Sequence, residues 1–325
     1  MLGVLLMDIS MEDINYLKNV VIDNDSFAII THNNPDADAI GSSIFLEQLL
    51  INLNKTVDYI IQSKISPEFE PIVRKKRINK VFIPKYKKYD VVFILDACDC
   101  DRIYYRKNFA NKTIIIDHHN NRPNIKYDKF INNNDISTGV TLYKIFNNFI
   151  EITPFMATCF YLTIIGDSDS FRIKNINSEV YDISSKLIQK GANTELINDI
   201  YNNMNINYIK LLGNVIKNIN ININDKIAYL VLTDEQISKN NCTIRDANKI
   251  IDFIKNIAGI EITLLLIDNY GTITIRARSK TKNISTLLKN FGGSGHKNSV
   301  GCLVTNRDIY DVLDEIIITI KNDNY

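Results

Sequence analysis

Short apolar runs that stop abruptly at a carboxylate or an imidazole recur through the first half of the chain. Ser26-Phe27-Ala28-Ile29-Ile30-Thr31 ends at His32, and Asp90-Val91-Val92-Phe93-Ile94-Leu95 ends at Asp96. Thr113-Ile114-Ile115-Ile116 ends at Asp117-His118-His119. Runs of this kind predict the buried strands of a parallel sheet. Further strands are predicted over 55–61 and 78–83. After the polar turn Asn33–Asp38 the period changes. Ile40, Ile44, Phe45, Leu49 and Leu50 recur at helical spacing, so a helix is expected from Ala39. Gly41 and Ser42 in its first turn would let the backbone approach a ligand. A leading helix is expected over 13–24, with others near 138–150 and 154–165. The last of these is apolar nearly all round, as a buried helix is. It delivers Gly166-Asp167-Ser168-Asp169-Ser170.

Residues 177–220 read as polar helices, with Gly191 capping one of them. A second unit follows, with strands over 226–232, 260–268 and 271–278 and helices over 245–257, 283–290 and 307–322. At 325 residues, two domains are the natural expectation. The pattern predicts an α/β protein. A larger parallel-sheet domain with helices on both faces spans 1–192, a helical linker 193–225, and a smaller α/β domain 226–325. The active site is expected in the cleft between the domains.

Composition narrows the function. The formal net charge is +1, which provides no basic field for long duplex DNA, though a small anion in a local pocket remains open. Five cysteines are an odd, scattered set, which argues for a reducing compartment rather than a disulfide framework. Cys98 and Cys100 read as incidental. The apolar Met1–Met7 lacks a basic flank and is too short to span a bilayer, so no membrane association and a cytoplasmic location are expected.

Four histidines are present: His32, His118, His119 and His296. Three close or follow predicted strands, where open α/β sheets place their ligands. With Asp36, Asp38, Asp96 and Asp167, they bring carboxylates and imidazoles to separate strand ends. Carboxylates so close raise one another's pKa and call for neutralising charge, which two divalent cations supply. Mixed oxygen and imidazole ligands suit Mn2+, with Fe2+ or Co2+ as alternatives and Mg2+ a poorer fit. Two metals in such a site activate water for an in-line displacement at phosphorus. In the second unit, Arg276 and Arg278 lie two apart on a predicted strand and face one side, placed to clamp a phosphate. Phe291-Gly292-Gly293-Ser294-Gly295-His296 could cradle an anion with backbone N–H groups.

These stretches resemble the DHH-family phosphoesterases, in which a DHH domain precedes a DHH-associated domain. The residues that carry the resemblance are His32-Asn33-Asn34-Pro35-Asp36-Ala37-Asp38-Ala39-Ile40-Gly41-Ser42, Asp96, Asp117-His118-His119, Asp167 and Gly292-Gly293-Ser294-Gly295-His296. The resemblance implies one manganese on His32, Asp36 and Asp96, and a second on Asp38, Asp96, His118 and Asp167, with Asp96 bridging. It further implies that Asp117 orients a ligand and that His119 faces the substrate phosphate. Arg276, Arg278, Gly292, Gly293, Ser294, Gly295 and His296 would hold the nucleotide. Two departures stand out. Ser294 replaces a usual Gly, and Gly-Asp-Ser-Asp-Ser replaces Gly-Asp-Thr-Gly-like text, leaving Asp169 as an extra carboxylate.

Within the family, the layout resembles nano-RNases. Those degrade very short oligoribonucleotides such as pApA and remove the 3′-phosphate of 3′-phosphoadenosine 5′-phosphate. The rival reading is a stand-alone cyclic di-AMP or pApA phosphodiesterase. A third is a non-catalytic nucleotide-binding module. Family members are often homodimers, although nothing in the sequence marks an interface.

Overall fold

The computed structural model describes residues 9–61, 63–73, 88–97, 103, 105, 109–119, 122–173 and 176–322. Cys98 and Cys100, the apolar N-terminus and the strand expected over 78–83 lie outside them. Contacts divide the chain into two compact units, Met1–Asn203 and Met204–Tyr325.

The first unit is built on a parallel sheet of β1 (Ser26–Ile30), β2 (Thr56–Ile60), β3 (Tyr89–Leu95), β4 (Ala110–Ile116) and β5 (Lys129–Ile131). Their order is β2-β1-β3-β4-β5, with every neighbouring pair parallel. The order reverses direction between β1 and β3, so a crevice opens past their carboxyl ends. Alternate residues go to opposite faces, and both faces are buried. Phe27, Ile29, Val91, Phe93, Leu95, Ile114 and Ile116 join one core, while Ala28, Ile30, Val92, Ile94 and Ile115 join another. The first core is covered by α1 (Met11–Asp23), α2 (Ala37–Asn52), α3 (Glu70–Val73), α4 (Thr138–Phe146), α5 (Pro154–Asp167), α6 (Ser178–Gln189) and α7 (Thr194–Asn202). On the opposite face, Ile103, Phe109, Ile125 and Phe130 lie among the described residues. β5 escaped the sequence pattern because three residues are too few to show a period.

Glycine at two helix crossings sets how closely α2, α4 and α5 approach. A Cβ on Gly41 would lie 2.5 Å from the Cys159 carbonyl oxygen, and one on Gly139 would lie 2.2 Å from Thr163 Oγ1. Gly41 therefore serves helix packing, which corrects its reading as a point of ligand approach. Thr163 is fully buried and has nowhere to yield. Gly139→Ala is expected to destabilise the protein by about 1–3 kcal/mol through overpacking, measured by urea denaturation.

The stretch 193–225 divides between the units. α7 buries Ile197 in the first core, whereas α8 (Ile206–Val215) buries Leu211 and Val215 in the second unit. That unit holds a six-stranded sheet of β6 (Asn220–Asn222), β7 (Ile227–Thr233), β8 (Ile262–Asn269), β9 (Thr272–Ser279), β10 (Ser294–His296) and β11 (Ser299–Thr305). The order is β10-β11-β9-β8-β7-β6, antiparallel except for the β7–β8 pair. α9 (Asp234–Ser238), α10 (Ile244–Asn248) and α11 (Ile250–Ile254) make the crossover that parallel pairing requires, and pack with α8 on one face. α12 (Ile309–Asn322) covers the other. The helix expected over 283–290 is instead a run of turns ending in the 3₁₀ segment Lys289–Phe291. Ile284, Leu287 and Leu288 are buried there, which mimics helical spacing, but Gly292 in the left-handed region (φ 72°) ends the segment.

Candidate metal centre

His32, Asp96 and His118 follow the carboxyl ends of β1, β3 and β4, neighbouring strands of the sheet. Asp36 and Asp38 come from the start of α2, and Asp167 ends α5. Their ligand-capable atoms form two close groups, His32–Asp36–Asp96 and Asp38–His118–Asp167, and a third group joins Asp96 to Asp117, His118 and His119.

Spacing within these groups suits a shared ion better than direct hydrogen bonds. His32 Nε2 lies 3.8 Å from Asp36 Oδ2 and 3.4 Å from Asp96 Oδ2. His118 Nε2 lies 4.0 Å from Asp38 Oδ2, 3.6 Å from Asp96 Oδ1 and 3.2 Å from Asp167 Oδ2. Ligands about 2.1 Å from one cation stand roughly 3–4 Å apart. Asp96 Oδ1 and Asp167 Oδ2 are buried and accept no hydrogen bond among the described residues, which a native interior rarely tolerates unless an ion completes them. The donor set fits a divalent cation.

Backbone groups hold the side chains of Asp36, Asp38, His32 and His118 in place. Asp36 caps α2 with Oδ1, which accepts the N–H groups of Asp38 and Ala39 at 3.1 Å, and turns Oδ2 toward His32. Asp38 accepts the N–H groups of Thr138 at 2.7 Å and Gly139 at 3.0 Å, the first turn of α4. His32 Nδ1 faces its neighbour's carbonyl, Asn33 O, at 2.8 Å, and His118 Nδ1 faces Asp135 O at 3.3 Å. A donating Nδ1–H in each makes Nε2 the nitrogen that would give its lone pair to a cation. Asp96 adopts φ 56°, a conformation costly for most residues, while its N–H remains tied to Ile116 O at 3.0 Å.

Charge at the centre is strongly perturbed. Burial and repulsion from Asp96 and Asp36 push the Asp38 carboxyl well above its ordinary range, and burial with Asp38 nearby does the same to Asp167. Asp96 is raised by burial and Asp36, although His32 and His118 oppose the shift. Burial would lower His32, but attraction to the Asp36 and Asp96 carboxylates prevails and lifts its imidazole to about 10. Asp36 runs the other way: burial is outweighed by His32, which holds the carboxyl down. Its side chain is 58% exposed, so solvent weakens that hold.

Asp117 is fully buried, and its Oδ1 accepts both the backbone N–H (2.9 Å) and Nδ1–H (2.7 Å) of His119. This fixes the ring with Nε2 as its remaining nitrogen. Burial lowers the His119 imidazole, but Asp117 and Asp96 reverse that and raise it overall. Asp169, the extra carboxylate, is absent from the metal groups and pairs with Arg172 at 2.9 Å. Its φ of 49° is the left-handed conformation that glycine, expected there from the family text, adopts without strain.

Residues 26–164 match the family described as "DHH family, N-terminal domain". Over that stretch the chain is similar to a DHH domain. Among curated proteins, it is 23% identical over 295 residues to the bifunctional oligoribonuclease and PAP phosphatase NrnA of Bacillus subtilis, covering 88% of this chain and 92% of that protein. The protein of the same name in Mycoplasma genitalium is 24% identical, with 94% and 96% covered. Among solved structures, an exopolyphosphatase-related protein from Bacteroides fragilis shares the fold. Its TM-score is 0.88 at 23% identity, with 96% of this chain and 97% of that chain covered.

Outside that stretch, the second unit brings the remaining expected residues into one register. Arg276 pairs across the sheet with Gly301, which pairs with Ser294, and Arg278 pairs with Ser299, which pairs with His296. A Cβ on Gly301 would meet Arg276 Nη1 at 3.2 Å, so this glycine leaves room for the guanidinium. Arg278 Nε donates to Asp252 Oδ1 at 3.2 Å. The glycine cluster differs from the open cradle expected. The N–H groups of Gly292 and Gly293 already donate to Lys289 O and Leu288 O, and a Cβ on Gly295 would lie 2.2 Å from Ser299 O. These glycines allow a tight hairpin.

Sequence reasoning missed the Thr138–Gly139 amides, Asn132, whose Nδ2–H donates to His119 O, and Tyr201. The Tyr201 hydroxyl approaches Gly166, where a Cβ would lie 2.8 Å away. Burial, then Asp167, Asp36 and Asp38, push its phenol well above the ordinary value, so it stays protonated. Gly166, adjacent to a ligand, was the available signal. The glycine admits the tyrosine.

Proposed function

We propose that this protein is a phosphoesterase dependent on divalent metal. Its substrates would be short oligoribonucleotides such as pApA, cut to mononucleotides, and 3′-phosphoadenosine 5′-phosphate, converted to AMP. The observation that carries this reading is the pair of His-carboxylate triads around buried, unpartnered Asp96 Oδ1. The activities named for the two curated relatives agree with it. Two cations, Mn2+ foremost, would be held by His32, Asp36 and Asp96, and by Asp38, Asp96, His118 and Asp167. When bound, such a pair acidifies water and neutralises phosphoryl oxygens.

The protein's own groups do the rest. Asp117 holds His119 so that Nε2 is presented to the leaving oxygen, and the raised imidazole pKa keeps a proton available for donation. The second unit serves as the DHH-associated domain, with Arg276 and Arg278 binding substrate phosphate. A cytoplasmic setting suits the reduced thiols of Cys159, Cys242 and Cys302. No helix among the described residues is long and apolar enough to cross a membrane.

His119→Asn should lower turnover about a hundredfold while metal content, read by elemental analysis, stays unchanged. The direct test compares pApA, 3′-phosphoadenosine 5′-phosphate and cyclic di-AMP, with Mn2+ and with chelator. Metal-restored cleavage of the first two is expected. Preferential opening of the cyclic ring would reassign the substrate, and inertness toward all three would sink the reading.

A further inference from the structure

A cavity of about 630 Å³ in the first unit adjoins the candidate metal centre, with His118 and Asp167 in its wall. Its size falls in the range of about 300–1,000 Å³ usual for small-molecule sites. Ile136, Val140 and Val180 give it aliphatic wall, and Asn134 and Asn177 bring carboxamides. Asn177 caps α6 with its oxygen, accepting the Val180 N–H at 3.1 Å, and its amide N–H groups have no partner among the described residues.

Lys144 also lines the cavity, but its ammonium is already held by Asp135 Oδ1 at 2.7 Å and Glu179 Oε2 at 2.8 Å. Asp135 Oδ2 accepts from Thr141 Oγ1 at 2.8 Å and Asn133 Nδ2 at 3.2 Å, so Asp135 is fully engaged, whereas Glu179 is 44% exposed and keeps acceptor capacity. Among the described side chains here, two carboxylates face one ammonium. A phosphate is repelled there, whereas an N–H donor is attracted. Aliphatic wall, carboxamides and a carboxylate acceptor together describe the surroundings of a neutral heterocycle that carries an amino group.

The geometry points to this cavity as a nucleobase subsite. The phosphate would be drawn by the cations that His118 and Asp167 would help hold, and the base of the same nucleotide lies along Val140 and Val180 with its amino group toward Glu179. The assignment rests on the nucleotide phosphoesterase reading above. It favours adenine over uracil, which has no amino group.

The chain contains no tryptophan, so Ile173→Trp, at a cavity position 39% exposed, creates a single fluorescent reporter. AMP titrated into the Mn2+-loaded variant should change its emission saturably, with UMP about tenfold weaker and ribose 5-phosphate silent. Equal responses to AMP and ribose 5-phosphate, or no response to either, overturn the assignment. A second variant, Ser178→Trp, places an indole at another exposed lining position. Here kcat/KM for pApA should fall about tenfold or more, while hydrolysis of bis(p-nitrophenyl) phosphate, which has no base, is unchanged. No loss, or equal loss on both substrates, counts against the subsite. If wild-type protein cleaves no nucleotide yet AMP still binds in a base-dependent way, the phosphoesterase reading falls and the subsite stands.

Discussion

Asp96→Asn is expected to lower turnover of pApA by about 10³-fold or more while leaving the fold intact. Asp96 is the carboxylate within reach of His32, His118 and His119 at once, at 3.4, 3.6 and 3.4 Å. Asparagine keeps the shape but removes the charge that would join two cations. The lost stabilisation at phosphorus is several kcal/mol, which is the origin of the factor. Stability should move the other way in chelator. Burial and the Asp36 charge already disfavour ionised Asp96, so a neutral amide relieves the metal-free protein. The variant should therefore unfold at a higher temperature than wild type in EDTA, and gain less on adding Mn2+. Thermal denaturation with and without metal reads both effects. A variant that retains full turnover would remove Asp96 from the centre.

Metal affinity is expected to fall at least tenfold for each pH unit between 8 and 6. In the metal-free protein His32 keeps its proton up to about 10, and it must release that proton to use Nε2 as a ligand. Asp38 and Asp167, both raised, steepen the loss on the acid side. Linkage gives the sign for stability. His32 has a folded pKa above its ordinary 6.5, so its contribution is complete below 6.5 and disappears as pH rises through about 10. Buried carboxyls with raised pKa likewise oppose folding increasingly as pH climbs above their ordinary 3.8. Asp36 acts in the opposite sense below 3.8, but it is 58% exposed and lies outside this window. The chelated protein should lose stability from pH 6 to 8 while the Mn2+-loaded protein gains. The gap between their Tm values should widen with pH, and a gap that narrows would contradict the centre as described.

Much of this centre was legible beforehand because strand ends are informative. An apolar run that halts at His32, Asp96 or Asp117-His118-His119 places those groups at the carboxyl edge of a parallel sheet, whatever the later packing does. His32, His118 and the pair Asp36 and Asp38 therefore pointed to a metal set. The second unit was less legible. β10 and β11 were hidden because the glycines between Phe291 and His296 read as a loop, whereas their lack of Cβ allows a hairpin. The stretch over 283–290 has helical spacing without helical length, and the left-handed turn at Gly292 ends it.

Local sequence determined the parallel sheet and the residue types at its carboxyl edge, because each follows from periodicity within a few residues. Tertiary structure decided how those residues gather into candidate ligand groups. It also decided that Asp38 is oriented by the amides of Thr138 and Gly139, a hundred residues away, and that Gly41 serves α5 rather than a ligand. The cavity beside His118 is of the same kind, since Lys144, Asp135 and Glu179 meet only when α4 and α6 pack. Periodicity reports which face of an element is buried, but the partner across that face depends on contacts between distant segments.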